Sequence, residues 1–293
     1  MIYDIALGID YAYAARSDRS RTLMRLSPPD LPGEQRVLSR SLRIDPAPDE
    51  CRDWTDFFGN ATTAAVWHAP IAGLRLSVSL VVDRLSPAPL ADLSPALADL
   101  AGVLALDRDL GPDAPHHFRR PSARVPAVPE IARFAHDLAR PRATVIDTVR
   151  ALGRAIHAEM RFDAAATSVE TGPAQAFAQR RGVCQDFAHV MIAALRELGV
   201  PAGYVSGFLR TLPPPGQPRL EGADAMHAWV RAWAGPANGW VAFDPTNDRW
   251  AGQDHVVVAQ GRDYLDVAPV LGALRSAGGQ ASRHSVDMTP RGA

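Results

Sequence analysis

Between residues 2 and 13, Tyr3, Ile5, Leu7, Ile9, Tyr11 and Tyr13 occupy every second position. A strand sends successive side chains to opposite faces, so this alternation describes a strand with one buried face. A helix cannot gather the six on one side. The pattern recurs from Arg36 to Ile44 and from Leu74 to Val82. Between them lies DFFGN (Asp56 to Asn60), whose Gly-Asn pair suits a tight hairpin turn, with TTAAVWHA as the return strand. Residues 1–84 therefore read as an antiparallel β domain.

The period then changes. Residues 85–128 are rich in proline and alanine, hold one short helix around Ala96 to Leu106, and read as a linker that wraps the next domain. From Pro129 the spacing is helical, through Ile131, Phe134, Ala135 and Leu138, then Val145, Val149, Leu152 and Ile156. A short helix near Ala174 to Arg180 precedes Gly182. Phe187, Val190, Met191, Ala194, Leu195 and Leu198 then form the clearest helical stripe in the chain, closed by Gly199 and Pro201. AGYVSGFL (Ala202 to Leu209) follows as a strand, and HAWVRAW (His227 to Trp233) with WVAFDPT (Trp240 to Thr246) reads as a hairpin. A further strand starts at His255. The expected class is α+β: the β domain, then a core over 129–293 with helices ahead of a short antiparallel sheet.

Composition narrows the function. With 293 residues, 47% hydrophobic and 22% charged, the chain is long enough for two domains with full cores. A net charge of -1 supplies no field to attract nucleic acid or an anionic membrane. No apolar run reaches membrane-spanning length, and MIYDIALGIDY lacks the basic and apolar regions of a secretory signal. The two cysteines, Cys51 and Cys184, lie far apart without a CxxC pair. That argues against a disulfide framework or a structural zinc site and for a reducing compartment, so a cytoplasmic location is expected. No Walker or dinucleotide-type glycine motif is present.

The chemistry concentrates in RGVCQDFAHVMIAALRELGV (Arg181 to Val200), where Cys184 opens the striped helix. The free N–H groups and dipole of a helix start favour a thiolate, the nucleophilic form of cysteine. The Cys184 N–H is a natural oxyanion donor, a type of contact that lowers a barrier by about 3 kcal/mol. A thiol also needs an imidazole, and the imidazole an orienting acceptor. The hairpin supplies both. If Trp233 faces Trp240, Asp244 lies on the same face as His227, one diagonal step away, and a slip of one residue would separate them.

Three further residues are candidates for the substrate cleft. Gly182 would let a substrate backbone approach closely, Trp229 (with Trp233 and Trp240) would wall the cleft against water, and Tyr204 would reach the oxyanion site. The proline-rich TLPPPGQP (residues 211–218) is a candidate lid. Other residues read as structural. His189 lies about 140° around the helix from Cys184, and Asp186 suits the helix N-terminus. His116 and His117 lack metal-ligand neighbours, and Cys51 has no visible partner.

At these residues the chain resembles the bacterial transglutaminase-like superfamily, a group that also carries the label of cysteine protease. The matching stretches are RRGVCQDFAHVMIAALRELGVPAGYVSGFL, GADAMHAWV, WVAFDPTND and GRDYLDV, while RTLMRLSPPD, RIDPAPDE and DFFGN resemble the family's N-terminal β domain. One departure is Met226, beside His227, where relatives often carry a small polar residue. The resemblance implies a papain-like core with Cys184 as nucleophile, His227 as general base then acid, and Asp244 orienting the imidazole. It implies no cofactor, and the residues themselves suggest no metal site. The implied substrate is a peptide or protein, and the implied reaction is acyl transfer from a peptide or isopeptide-like amide. Water as acceptor makes the chain a cysteine peptidase or amidase. The alternatives are a transglutaminase (protein-glutamine gamma-glutamyltransferase), which uses an amine, and a non-catalytic peptide-binding module on the same fold.

Overall fold

In a computed structural model of the chain, residues 1–17, 19–86, 90–211, 225–274 and 279–291 are described. The N-terminal part contributes six strands: β1 (Ile2–Ser17), β2 (Ser20–Ser27), β3 (Gln35–Asp45), β4 (Glu50–Thr55), β5 (Ala61–Trp67) and β6 (Ile71–Arg84). β1, β6 and β3 pair antiparallel in one sheet, and β2, β5 and β4 in another. The alternation visible in the sequence is the packing pattern. Tyr3, Ile5, Leu7 and Ile9 of β1 and Leu74, Leu76, Val78, Leu80 and Val82 of β6 are buried together against Met24, Leu26, Ala65 and Trp67. Each large apolar side chain withdrawn in this way contributes roughly 1.5–3 kcal/mol, so the facing rows hold the two sheets together. The DFFGN turn joins β4 to β5, with Gly59 at positive φ.

The stretch expected as a linker is built into the core. It contains α1 (Leu100–Leu106), and Leu100, Leu104, Val125 and Val128 are buried in the helical core. The apolar side chains are frequent enough to seat the segment although proline breaks its periodicity. Beyond it come α2 (Pro129–Leu138), α3 (Val145–Glu159), the short β7 (Arg161–Phe162), α4 (Pro173–Gln179), β8 (Arg181–Gly182) and α5 (Cys184–Glu197). Proline at the first turn of α2 and α4 needs no partner for a missing N–H, and the Thr144 hydroxyl caps α3 by accepting from Asp147 N–H. Gly199, at φ 80°, ends α5, where Val200 N–H donates to Leu195 O.

The core sheet runs in the order β12 (Arg249–Trp250), β11 (Trp240–Asp244), β10 (Ala225–Trp233), β9 (Ala202–Leu209) and β13 (His255–Gly261). Ala228, Val230 and Ala232 of β10 lie in one core with Ala188, Val190, Met191 and Leu195 of α5. This packing seats the helix on the sheet. After α6 (Tyr264–Val267), β14 (Val270–Leu274) and β15 (Gln280–Pro290) return to the N-terminal sheets. β14 pairs with β2 and β15 with β1 over eleven residue pairs. The second domain expected over 129–293 thus gives its C-terminal strands back to the first. Val286 and Met288 of β15, with Phe208, Val256 and Val258 of the core sheet, enter the N-terminal core. No helix among the described residues is long and apolar enough to cross a membrane.

Candidate active site

α5 begins at Cys184, which is half-buried, and its first turn is fastened from below. The Asp186 carboxylate accepts from Val183 N–H at 2.8 Å and from the Thr167 hydroxyl at 2.6 Å. Gln185 donates to Val169 O, so the loop before α4 is tied to the same turn. Burial pushes the Asp186 carboxyl up against the pull of these two donors.

His227 enters from β10. The hairpin has the register expected, with Trp233 opposite Trp240 and Val230 opposite Phe243, and this brings Asp244 to the imidazole. His227 Nε2–H donates to Asp244 Oδ2 at 2.8 Å, and the Cys184 side chain lies close enough to the imidazole to favour its charged form. With Nε2 engaged by the carboxylate, Nδ1 is the nitrogen left for the thiol. Asp244 is wholly buried, 0% exposed. Its Oδ1 accepts from the N–H groups of Thr246 and Asn247. Its Oδ2 accepts from His227, from Asn247 Nδ2 at 2.7 Å and from His255 Nε2 at 3.2 Å. The turn itself is held to α3, where His157 Nδ1 donates to Thr246 O.

The electrostatics follow from these contacts. Burial opposes the charge of Asp244, but the hydrogen bonds from His227 and His255, the His227 charge and the Asn247 amide outweigh it and hold the carboxyl far below its usual range. Burial likewise opposes the imidazolium of His227. The hydrogen bonds to Asp244 and Cys184, with the charges of both, win and raise it to about 9. A thiol, an imidazole and a carboxylate are thus aligned, with the imidazole stabilised in its charged form and the thiol partly open to solvent.

The three cleft candidates occupy other positions. Gly182 pairs with Phe162 in the β7–β8 ladder, and a Cβ there would stand 2.5 Å from Asp186 Oδ2. The missing side chain makes room for the Asp186 carboxylate, not for substrate. Trp229 is 1% exposed, lies across Gly207, and sets its ring 6.2 Å from that of His227 and 5.1 Å from that of His255. It backs the imidazoles and, with Trp240, lines a cavity whose walls do not include Cys184 or His227. Trp233 is buried in the helical core, and Trp240 stacks on the Arg231 guanidinium. Tyr204 lies in the core between His189 and Tyr264, its hydroxyl pushed well up by burial and next by the charge of Cys184. These aromatic positions follow from face and burial, which the spacing alone did not separate from a cleft wall. Residues 212–218 of the candidate lid lie outside the described residues.

Two site residues were not legible as such. Asn247 follows Asp244 by three positions in the DPTN turn, the spacing at which an Asn can fold back on an Asp. His255 opens a different strand and carries no local signal for its contact with Asp244. His189, by contrast, is structural as its helical angle suggested. It is buried, accepts from Tyr264 N–H at 3.3 Å and is lowered to about 4, first by burial.

Comparison with known proteins places the chain in a family. Residues 132–245 match the transglutaminase-like superfamily, and residues 3–83 match the bacterial transglutaminase-like N-terminal region. An uncharacterized protein of Mycobacterium tuberculosis is 34% identical over 252 residues, spanning 82% of this chain and 77% of that protein. A protein-glutamine gamma-glutamyltransferase of Pseudomonas aeruginosa is 39% identical over 71 residues, which is 24% of this chain and 10% of that protein. The crystal structure named "Putative Cysteine Protease from Cytophaga hutchinsonii" superposes with a TM-score of 0.72 at 22% identity, covering 99% of this chain and 90% of that one, and shows the same fold. The chain belongs to the transglutaminase-like superfamily, with the bacterial transglutaminase-like N-terminal region ahead of its core.

Proposed function

We propose that the chain is a thiol-dependent acyl-transfer enzyme acting on peptide or isopeptide-like amides, with water as acceptor. The observation that carries the reading is the His227 imidazole held between the Asp244 carboxylate at 2.8 Å and the Cys184 thiol. In this reading the Cys184 thiolate attacks the amide carbonyl carbon, and the carbonyl oxygen takes up negative charge at the start of α5. Cys184 N–H, at the first position of the helix, has no intrahelical acceptor. Imidazolium gives its proton to the leaving nitrogen as the C–N bond breaks. It then takes a proton from water as water attacks the thioester carbonyl; the C–S bond breaks, the carboxylic acid leaves, and the thiolate–imidazolium pair is restored. Asp244 remains ionised and keeps Nε2–H directed away from the sulfur. The partial exposure of Cys184 gives water access to the acyl-enzyme.

A second reading takes an amine in place of water. The stretch shared with the P. aeruginosa protein-glutamine gamma-glutamyltransferase supports it. One assay separates the two: a glutamine-containing protein substrate is incubated with a fluorescent primary amine, and both release of product amine and label incorporation are followed. Hydrolysis without incorporation is the expected result. Incorporation that depends on Cys184 assigns the amine reading instead. Neither reaction, together with Cys184 labelling by iodoacetamide that is unaffected by His227→Ala, would overturn the enzyme reading and favour a peptide-binding module.

A further inference from the structure

His255 is the second histidine at Asp244, and the reaction as described leaves it without a role. It is 1% exposed at the start of β13. Its Nδ1 accepts from Gly252 N–H at 3.2 Å, which only an unprotonated nitrogen can do, so the ring proton sits on Nε2. That N–H donates to Asp244 Oδ2, the same oxygen that receives the His227 proton. We propose that His255 is a positioning residue of this site, a neutral donor that shares Asp244 Oδ2 with His227 and thereby limits how tightly the carboxylate holds the His227 proton. The inference rests on His227 acting as base and acid.

The argument is one of shared charge. An ionised carboxylate offers about four lone-pair sites, and here five donors converge on them, three at Oδ2 alone. Each donor that the carboxylate accepts leaves less negative charge for the others. A general acid must also release its proton, and it works best when its affinity for that proton matches the working pH. A carboxylate given wholly to His227 would bind the imidazolium too strongly for transfer to a leaving nitrogen. A second donor on the same oxygen relaxes that hold without breaking the alignment.

The surroundings of His255 keep it in this role. Asp244 of β11 faces it directly, Trp229 and His227 of β10 lie 5.1 and 6.4 Å away between ring centroids, and Arg249 of β12 adds a positive charge. Burial disfavours its cation, the Asp244 contact favours it, and Arg249 and His227 oppose it. The net direction is downward, so the ring stays a neutral donor where His227 is charged. A purely structural role would tie β13 to the end of β11 and would be indifferent to which polar group makes the tie.

The test uses the full chain and needs no substrate. The rate of Cys184 labelling by iodoacetamide is measured against pH in wild type, His227→Ala, His255→Leu, His255→Gln and His255→Asn. A Gln places its amide nitrogen near the position of Nε2, whereas Asn is polar but too short to reach Asp244. In His255→Leu and His255→Asn the onset of labelling is expected to move to lower pH by roughly 0.5–1 unit, part of the influence of one hydrogen bond to a charged group. In His255→Gln it stays at the wild-type position. Superimposable profiles for Leu, Asn and wild type would overturn the inference, as would a Gln profile that follows Asn. If His255→Leu does not fold, the Gln and Asn pair decides alone. If His227→Ala leaves labelling unchanged, the acid–base reading itself fails. A change in His227→Ala without one in the His255 variants removes only the present inference.

Discussion

Two buried histidines, His189 on α5 and His227 on β10, behave in opposite ways. His189 is 1% exposed and His227 9%, so depth does not distinguish them. His189 is lowered to about 4 and His227 raised to about 9. The difference lies in what each ring nitrogen touches. At His189, Nε2 accepts a backbone N–H, and the nearby Asp263 carboxylate is engaged by the N–H groups of Arg124 and Leu265. Asp263 therefore acts on the ring only across space, and burial prevails. At His227 the carboxylate oxygen is bonded directly and the Cys184 side chain adds to its pull, so the charged form prevails against the same penalty. Burial makes a histidine neutral by default, and a direct, well-supported anionic partner is needed to reverse that.

The comparison can be broken most severely at the thiol. Cys184→Ala is expected to abolish covalent labelling and turnover while leaving the thermal midpoint within a few degrees, because the side chain is half-buried at a helix end. Global unfolding would mean that Cys184 is a core residue. Next in size, His227→Ala is expected to slow turnover by about 10²–10⁴-fold, whereas His189→Leu leaves iodoacetamide labelling of Cys184 within about twofold, as for a residue outside the machinery. Comparable losses in both variants would erase the distinction drawn between the two sites.

The first turn of α5 comes next. Gly182→Ala would place a Cβ against the Asp186 carboxylate and force it off Val183 N–H. A loss of about 1–3 kcal/mol in urea unfolding is expected, in the range of overpacked sites. An unchanged midpoint would show that the turn has room that the structure does not suggest.

The remaining effects are in the pH dependence of stability, and their signs differ. The folded value of His227 exceeds its ordinary 6.5, so its contribution is full below about 6.5 and is lost as pH rises toward about 9. The folded value of His189 lies below 6.5, so the unfolded chain takes up the extra proton first, and stability is lost as pH falls from about 6.5 toward about 4. Chemical unfolding at pH 5, 7 and 9 should show His227→Ala flattening the alkaline side alone and His189→Leu the acid side alone. The reverse assignment would invert the account of both histidines.

Much of this molecule can be read from its sequence because the readable parts depend on local geometry. The alternation of residues 2–13 and 74–82, the stripe and glycine stop of α5, and the hairpin with Trp233 opposite Trp240 all repeat with the period of the backbone that carries them. That hairpin register was enough to bring Asp244 to His227, and the helix start was enough to single out Cys184. The tertiary structure alone decided the rest. β15 (QASRHSVDMTP) is mostly exposed and shows little apolar alternation, yet it completes the first sheet through a partner more than 260 residues away. Gly182 became a seat for Asp186, and Trp229 a backing for two imidazoles, through neighbours on other elements. His255 reached Asp244 because β13 pairs with β9 at the far side of the sheet, through a register broken by a bulge. Local periodicity states which face a side chain takes. Which face it meets is set by the closure of distant strands, and for that the residues nearby carry no signal.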